Sequence, residues 1–396
     1  MKTNPFLPQI AYGTRDFLPQ EAKGKRVLEN RLSALFAQWD YDEVITPTFE
    51  YWETVAVASE NSSYEQNMFK FFDQSNRLLV LRPEMTTPMA RVAATRLHEA
   101  DRPLRLSYIA NVFRQEEYQA GRQCEFNQAG VELMGVPGSA ADAEIIALAV
   151  KAMAACGLKN FQISLGHMQF IGGLMDESHL SVKQRQEIKQ LLMSRDLVAL
   201  KEVVAQSNLS AEVQQVLLEL PLLHGKEELL AKARDYVHNA VSRQALDDLA
   251  QIFELLKSYG LSEYVEFDLG MIRDFDYYTG VVFEGYTPGL GFPICGGGRY
   301  DKLLAAFGSD APATGFALGM ERVLLALERQ HIELAVAQKE IYVGWQAGKV
   351  QEAIQKATQL RQEGLRVALA LLPQSRQDAT DFVRDRDYQK LIYCGD

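Results

Sequence analysis

Two apolar stretches, residues 104–114 and 126–134, flank a polar loop at 115–125, and they constrain this chain more than any other feature. Each is long enough for a central strand and too short for a typical helix pair, so the segment reads as two strands joined by a long loop. On the second strand Gln128, Gly130 and Glu132 alternate, which puts them on one face. A carboxamide and a carboxylate beside a residue without a side chain make a floor for a small polar ligand. The same spacing fits a solvated sheet face, and spacing alone leaves the two readings even.

The rest of the chain is organised around that pair. Its 396 residues predict two to three domains. An amphipathic helix is expected over 20–39, with Val27, Leu28, Leu32, Leu35 and Phe36 at helical spacing. A short strand stopped by Pro47 follows, then strand–turn–strand over 68–82 and a helix over 88–98. Ser139 and Asp142 suit a capping box for a helix ending at Gly157. Residues 167–260 are rich in Leu, Lys, Glu and Gln, which predicts a helical insertion, with Ser181 and Gln184 at a helix start. Strands resume at 264–269 and 280–286. A glycine run, Gly296 to Gly298, reads as a tight turn before a helix, and Arg322 falls in the first turn of a helix that follows 315–319. The tail from 340 reads β-α-β-α-β. Strands interrupted by helices, without regular alternation, indicate an α+β body over 1–330 with a small α/β domain over 331–396.

Composition narrows the function classes. With 47% hydrophobic and 23% charged residues the chain is neither disordered nor collagenous. No apolar run approaches the ~18 residues of a membrane span, and residues 1–13 lack the apolar core of a secretory signal, so a cytoplasmic protein is expected. The four cysteines are scattered without a Cys-x-x-Cys pair, and the six histidines lack metal-ligand spacing. No metal and no cofactor are expected. The balance of 41 basic against 52 acidic residues argues weakly against nucleic-acid binding.

Other segments carry polar groups in suggestive places. Glu84, Thr86 and Thr87 stand just before a helix, where Thr is more often a cap. Arg273 to Tyr278 follows a strand, and Gly297 to Asp301 follows the glycine run. Arg322 sits where a helix dipole disfavours a cation, which hints at an anionic ligand.

Taken in order, these segments resemble the core of the class II aminoacyl-tRNA synthetases, specifically the histidyl enzyme. Residues 41–50 resemble its motif 1, 113–132 its motif 2 and 315–322 its motif 3. Residues 81–86, 273–278 and 297–301 resemble its histidine-specific segments, and the resemblance runs from about 10 to 330. It implies an antiparallel sheet core carrying the helical insertion. It also implies a histidine pocket, with Glu84, Thr86 and Gln128 at the ammonium, Arg114 and Arg273 near the carboxylate, and Glu132 and Tyr278 at the imidazole, Tyr300 nearby.

The departures point to one branch. Where the synthetase has Arg-His-Glu-Arg-Pro, this chain has Arg114-Gln115-Glu116-Glu117-Tyr118. Two like charges ~4 Å apart repel by ~4 kcal/mol at an effective dielectric of 20, so Glu117 opposes an approaching phosphate. Asp274 replaces a glycine, and the tail stops at Asp396, short of a full anticodon-binding domain. These marks resemble the synthetase-like regulatory subunits of ATP phosphoribosyltransferase. That family implies a non-catalytic subunit of histidine biosynthesis, with no tRNA charging and with histidine as regulatory ligand. Its partners would be a short catalytic phosphoribosyltransferase subunit and a second copy through the motif 1 segment, within a larger hetero-oligomer. The alternative is an active histidyl-tRNA synthetase with a shortened tail; a blander one is a general nutrient sensor that reports histidine or uncharged tRNA to another protein.

Overall fold

The computed structural model describes residues 9–57, 67–115, 123–177, 180–207, 209, 211–273, 277–336 and 338–395. They fall into two compact units, one within Met1–Leu18 and Lys25–Glu333, the other within Pro19–Gly24 and Leu334–Asp396.

In chain order the first unit's strands are β1 (Asp42–Glu43), β2 (Phe49–Tyr51), β3 (Lys70–Phe72), β4 (Leu78–Leu81), β5 (Leu104–Phe113) and β6 (Glu125–Met134). Then come β7 (Gln162–His167), β8 (His224–Gly225), β9 (Val265–Asp268), β10 (Val281–Tyr286), β11 (Cys295–Arg299) and β12 (Ala313–Gly319). Nine of them form one sheet in the order β1-β5-β6-β12-β11-β10-β7-β9-β8. From β5 across to β7 every pairing is antiparallel. The two central strands read from the sequence are the longest pair, in register from Leu104↔Met134 to Phe113↔Glu125. A smaller antiparallel sheet has the order β2-β4-β3. The fold is α+β, with the 167–260 segment supplying the helices Met168–Glu177, Val182–Ser194, Leu197–Ala205, Ala211–Glu219, Glu228–Arg234 and Ala240–Ser258.

Packing overrides the sequence reading in several places. Gly296 to Gly298 is not a turn but the middle of β11, flanked by β10 and β12. The short helix after it, Leu304–Phe307, is 3-10. Strands β7 and β8 were not expected; β7 is buried along nearly its whole length and so shows no alternation to read. The helix expected over 88–98 spans Thr86–Thr95. The capping box at Ser181 and Gln184 forms. The one at Ser139 and Asp142 does not, although the helix Ser139–Ala155 is there. Ser139 Oγ instead donates to Gln251 Oε1, and Asp142 turns inward to Arg299.

The Asp142–Arg299 pair locks that helix to the sheet. Arg299 Nε and Nη2 lie 3.0 and 2.9 Å from the two Asp142 oxygens, and both side chains are buried. Nη1 also donates to Asp301 Oδ1 at 3.0 Å.

The second unit realises the expected β-α-β-α-β pattern as β13 (Lys339–Trp345), β14 (Val367–Leu369) and β15 (Tyr388–Cys394), an all-parallel sheet ordered β14-β13-β15. Helices Val350–Gln362 and Arg376–Asp385 cover it with Ala353, Ala357 and Ala379, small enough for close approach. Trp345 is buried there because its Nε1 reaches Ala370 O at 2.7 Å. No helix among the described residues is long and apolar enough to cross a membrane.

Removing one partner of a buried ion pair strands the other charge, a loss of about 3–5 kcal/mol. Asp142→Ala is therefore expected to lower the stability of the first unit by that amount in urea titrations, and Asp142→Ala with Arg299→Met by clearly less.

Candidate functional site

The site begins as an excavation in the sheet. Strand registers set Gly296, Ala317 and Gly130 side by side across β11, β12 and β6. This row ends in Glu284 on β10 and Tyr108 on β5. The next row runs Val282, Gly298, Gly315, Glu132, Leu106. Residues with one side-chain carbon or none thus occupy the middle of one sheet face, and larger side chains reach over them from the ends. A Cβ on Gly130 would meet the Tyr108 phenol at 2.5 Å, and one on Gly296 would meet the Arg273 guanidinium at 2.8 Å.

Glu132 lies in this floor, 1% exposed. Its space exists because Gly315 faces it: a Cβ there would fall 1.9 Å from Glu132 Oε2. Tyr300 donates its hydroxyl to Oε2, and Tyr108 donates to Oε1 at 3.4 Å. Burial pushes the carboxyl pKa up to about 8, against the opposing pull of the hydrogen bonds from Tyr300, Thr86 and Tyr108. Burial likewise raises both phenols. The sequence reading missed Tyr108. The available signal was an aromatic residue facing a glycine across a strand pair, where the ring fills the space the glycine leaves.

The walls come from segments that leave the sheet. After β4 the chain enters the helix Thr86–Thr95, and Glu84 closes its N-terminus by accepting from the Thr86 and Thr87 amides, the latter at 2.9 Å. The cap is thus the buried carboxylate, not a threonine. At the end of β5, Arg114 donates Nε to Pro83 O at 2.8 Å, with its guanidinium 5.2 Å from the Phe126 ring centre. Arg273 pairs through Nη1 with Glu284, which also accepts from Tyr286. Its guanidinium lies 5.9 Å from the Tyr278 ring. Arg322, in the first turn of the helix Met320–Arg329, turns its guanidinium to Pro293 O at 2.6 Å and to the Phe292 ring at 5.0 Å.

The cavity these groups enclose, counted with its open mouth, holds about 710 Å³ of empty space. Seven of the eight residues expected at a histidine pocket line it: Glu84, Thr86, Arg114, Gln128, Arg273, Tyr278 and Tyr300. Glu132 does not; it lies behind Tyr300, to which it is bonded. Phe126, Tyr277, Phe316 and Arg322 are among the other residues that line it. Gln128 Oε1 and Arg273 Nε are buried without a hydrogen-bond partner among the described residues. One wall therefore offers acceptors and another offers guanidinium donors, the complement of a zwitterion. Glu117 and Asp274 lie outside the described residues.

The sequence model of the histidyl-tRNA synthetase family matches residues 13–323. Among curated proteins, the chain is similar to the ATP phosphoribosyltransferase regulatory subunit of Moorella thermoacetica, at 45% identity over 94% of each chain. It is also similar to that of Acetivibrio thermocellus, at 41% identity over 97% of this chain and 90% of that protein. Among solved structures, an ATP phosphoribosyltransferase regulatory subunit/histidyl-tRNA synthetase from Bacillus halodurans superposes with a TM-score of 0.88, at 35% identity over 99% of each chain. The family match lies almost wholly in the first unit, which has the class II synthetase architecture.

The raised pKa of Glu132 has a testable sign. The folded protein holds this proton up to about pH 8, whereas a free carboxyl releases it near 4.5. The folded state binds more protons in between, so this contribution is complete below about pH 4.5 and is lost as pH rises through 8. Glu132→Gln, neutral at every pH, should gain stability over wild type on the order of 1–4 kcal/mol between pH 5 and pH 8.5. Urea midpoints across that range check it; a constant difference would show that Glu132 keeps no proton.

Proposed function

The chain belongs to the ATP phosphoribosyltransferase regulatory subunit family, built on the histidyl-tRNA synthetase fold, and from that we propose that it binds histidine in this cavity and regulates a separate catalytic chain. The observation that carries the reading is that Gln128 and Arg273, which line the cavity from its acceptor and donor walls, each hold a buried polar atom without a partner among the described residues, Oε1 and Nε. A polar group buried without a partner costs about 1–3 kcal/mol, and a ligand that satisfies it recovers that cost. An α-ammonium suits Gln128 Oε1, Thr86 and Glu84; an α-carboxylate suits Arg114 and Arg273. The imidazole then lies against Tyr278 and Tyr300, with Glu132 acting through the Tyr300 hydroxyl it holds.

In this reading the chain performs no chemistry of its own. Glu117 stands where the synthetase resemblance expects a cation at the nucleotide, so adenylate formation and tRNA charging are not expected. The partner is a short catalytic ATP phosphoribosyltransferase subunit, in the cytoplasm, at the first step of histidine biosynthesis. Occupancy of the cavity would shift that partner's affinities by a coupling of about 1–3 kcal/mol, or 5–150-fold, and the shift is reciprocal.

A second copy of the chain is the proposed partner for the motif 1 segment. Ile45, Phe49 and Phe72 are 89%, 51% and 63% exposed on and beside the β2-β4-β3 sheet, and the Phe49 and Phe71 rings meet edge to face at 5.9 Å. Apolar side chains gathered at this density suit an isologous contact.

Two measurements test these proposals. Calorimetry should show histidine binding to wild type and about ten- to a hundredfold weaker binding to Gln128→Leu, which removes an acceptor that the fold does not use. Histidine-dependent exchange of pyrophosphate into ATP by the wild-type chain would instead promote the synthetase alternative. In sedimentation, wild type should run as a dimer at micromolar concentration and Ile45→Glu with Phe72→Glu as a monomer; a wild-type monomer would remove the dimer proposal.

A further inference from the structure

Arg82 is a buried cation, 5% exposed, that does not line the cavity. Its guanidinium donates to carbonyl and hydroxyl oxygens on two segments. Nε reaches Asn111 O on β5 at 2.8 Å, while Nη1 reaches Thr46 O at 2.9 Å, Thr46 Oγ1 at 3.2 Å and Pro47 O at 3.2 Å. Its backbone repeats the link: Arg82 N donates to Thr48 O, and Arg82 O accepts from Phe113 N, both at 3.0 Å. The next two residues belong to the site. Pro83 O holds Arg114 through Nε, and Glu84 lines the cavity while capping the helix Thr86–Thr95.

We infer that Arg82 is a positioning residue for ligand binding: by clamping the Thr46–Pro47 turn to β5, it fixes the Pro83 carbonyl and hence the Arg114 guanidinium at the carboxylate end of the cavity. The inference rests on the proposed histidine site. A planar guanidinium serves this role because its fork reaches both segments at once, which the single ammonium of a lysine cannot do. Without the side-chain clamp, only the backbone bonds of Arg82 to Thr48 and Phe113 hold Pro83 to the end of β5, and more of the ordering of Arg114 falls to the ligand. Three consecutive residues, Arg82, Pro83 and Glu84, thus connect the Thr46–Pro47 segment to the acceptor and donor walls of the site.

A double-mutant cycle on the full-length chain separates this role from general support of the fold, with histidine affinity read by calorimetry. Arg82→Lys keeps the charge and the aliphatic stem; Arg82→Met removes both donors, and if it does not fold, the lysine variant carries the test alone. Arg82→Lys and Arg114→Lys should each weaken histidine about tenfold, while the double variant should be about as weak as either single one. That shortfall from the roughly hundredfold of independent effects is the positioning signature. Folded Arg82→Lys with wild-type affinity, or a double variant weakened about a hundredfold, would overturn the inference. No histidine binding to the wild-type chain would instead overturn the proposed site beneath it.

Discussion

A β-sheet face that must hold a ligand has to lose side chains where the ligand will lie, yet keep the strands paired beneath it. In this chain that requirement is met by register. Gly130, Ala317 and Gly296 line up across three strands in one row, and Gly315 and Gly298 in the next. Four larger groups lean into the space they leave: the Tyr108 phenol over Gly130, the Glu132 carboxyl against Gly315, the Arg273 guanidinium over Gly296 and the Tyr278 ring against Gly298. Shifting β6 or β12 by one residue would turn their small residues to the opposite face and bring Val131 or Phe316 onto this one. The cavity is therefore a property of the pairing itself.

The polar groups around that floor divide by who satisfies them. Glu84 spends its oxygens on the amides that open a helix, Arg114 spends Nε on Pro83, and Arg273 spends Nη1 on Glu284. These bonds fix orientation before any ligand arrives, which lowers the entropy cost of binding. Gln128 Oε1 and Arg273 Nε have no such partner among the described residues. Glu132 stands apart from both groups. It is deep, nearly neutral at pH 7 because of burial, and bonded by two phenols, so its first effect is to set the position of Tyr300 and Tyr108.

Much of this was legible in the sequence because it rests on alternation. Gln128, Gly130 and Glu132 announce one face at a spacing of two, and the β5–β6 pair is long enough to be read as strands. Strand β11 was read as a turn because three glycines carry no alternation, and only the neighbouring strands reveal that their lost side chains leave room for Arg273, Phe283 and Tyr278. Asp142 was read as a cap because its spacing from Ser139 is right for one. A buried arginine on β11, far along the chain, outcompeted the local amides. Tyr108 escaped notice because its role exists only across the strand pair. The site residues supplied by resemblance fared differently: their convergence depends on loops between distant elements, and no local pattern encodes it.

A ligand can regulate a distant partner only if the filled and empty states differ where that partner touches. The described site is held on two kinds of support. The sheet floor is shared by five strands, so a change there would have to disturb the whole ladder. The wall formed by Pro83, Glu84 and Arg114 is tied through the side chain and backbone of Arg82 to the segment beside exposed Ile45 and Phe49. Of the two supports, the wall is the one whose hydrogen bonds run, through Arg82, from the cavity-lining Glu84 and Arg114 to the segment beside exposed Ile45 and Phe49.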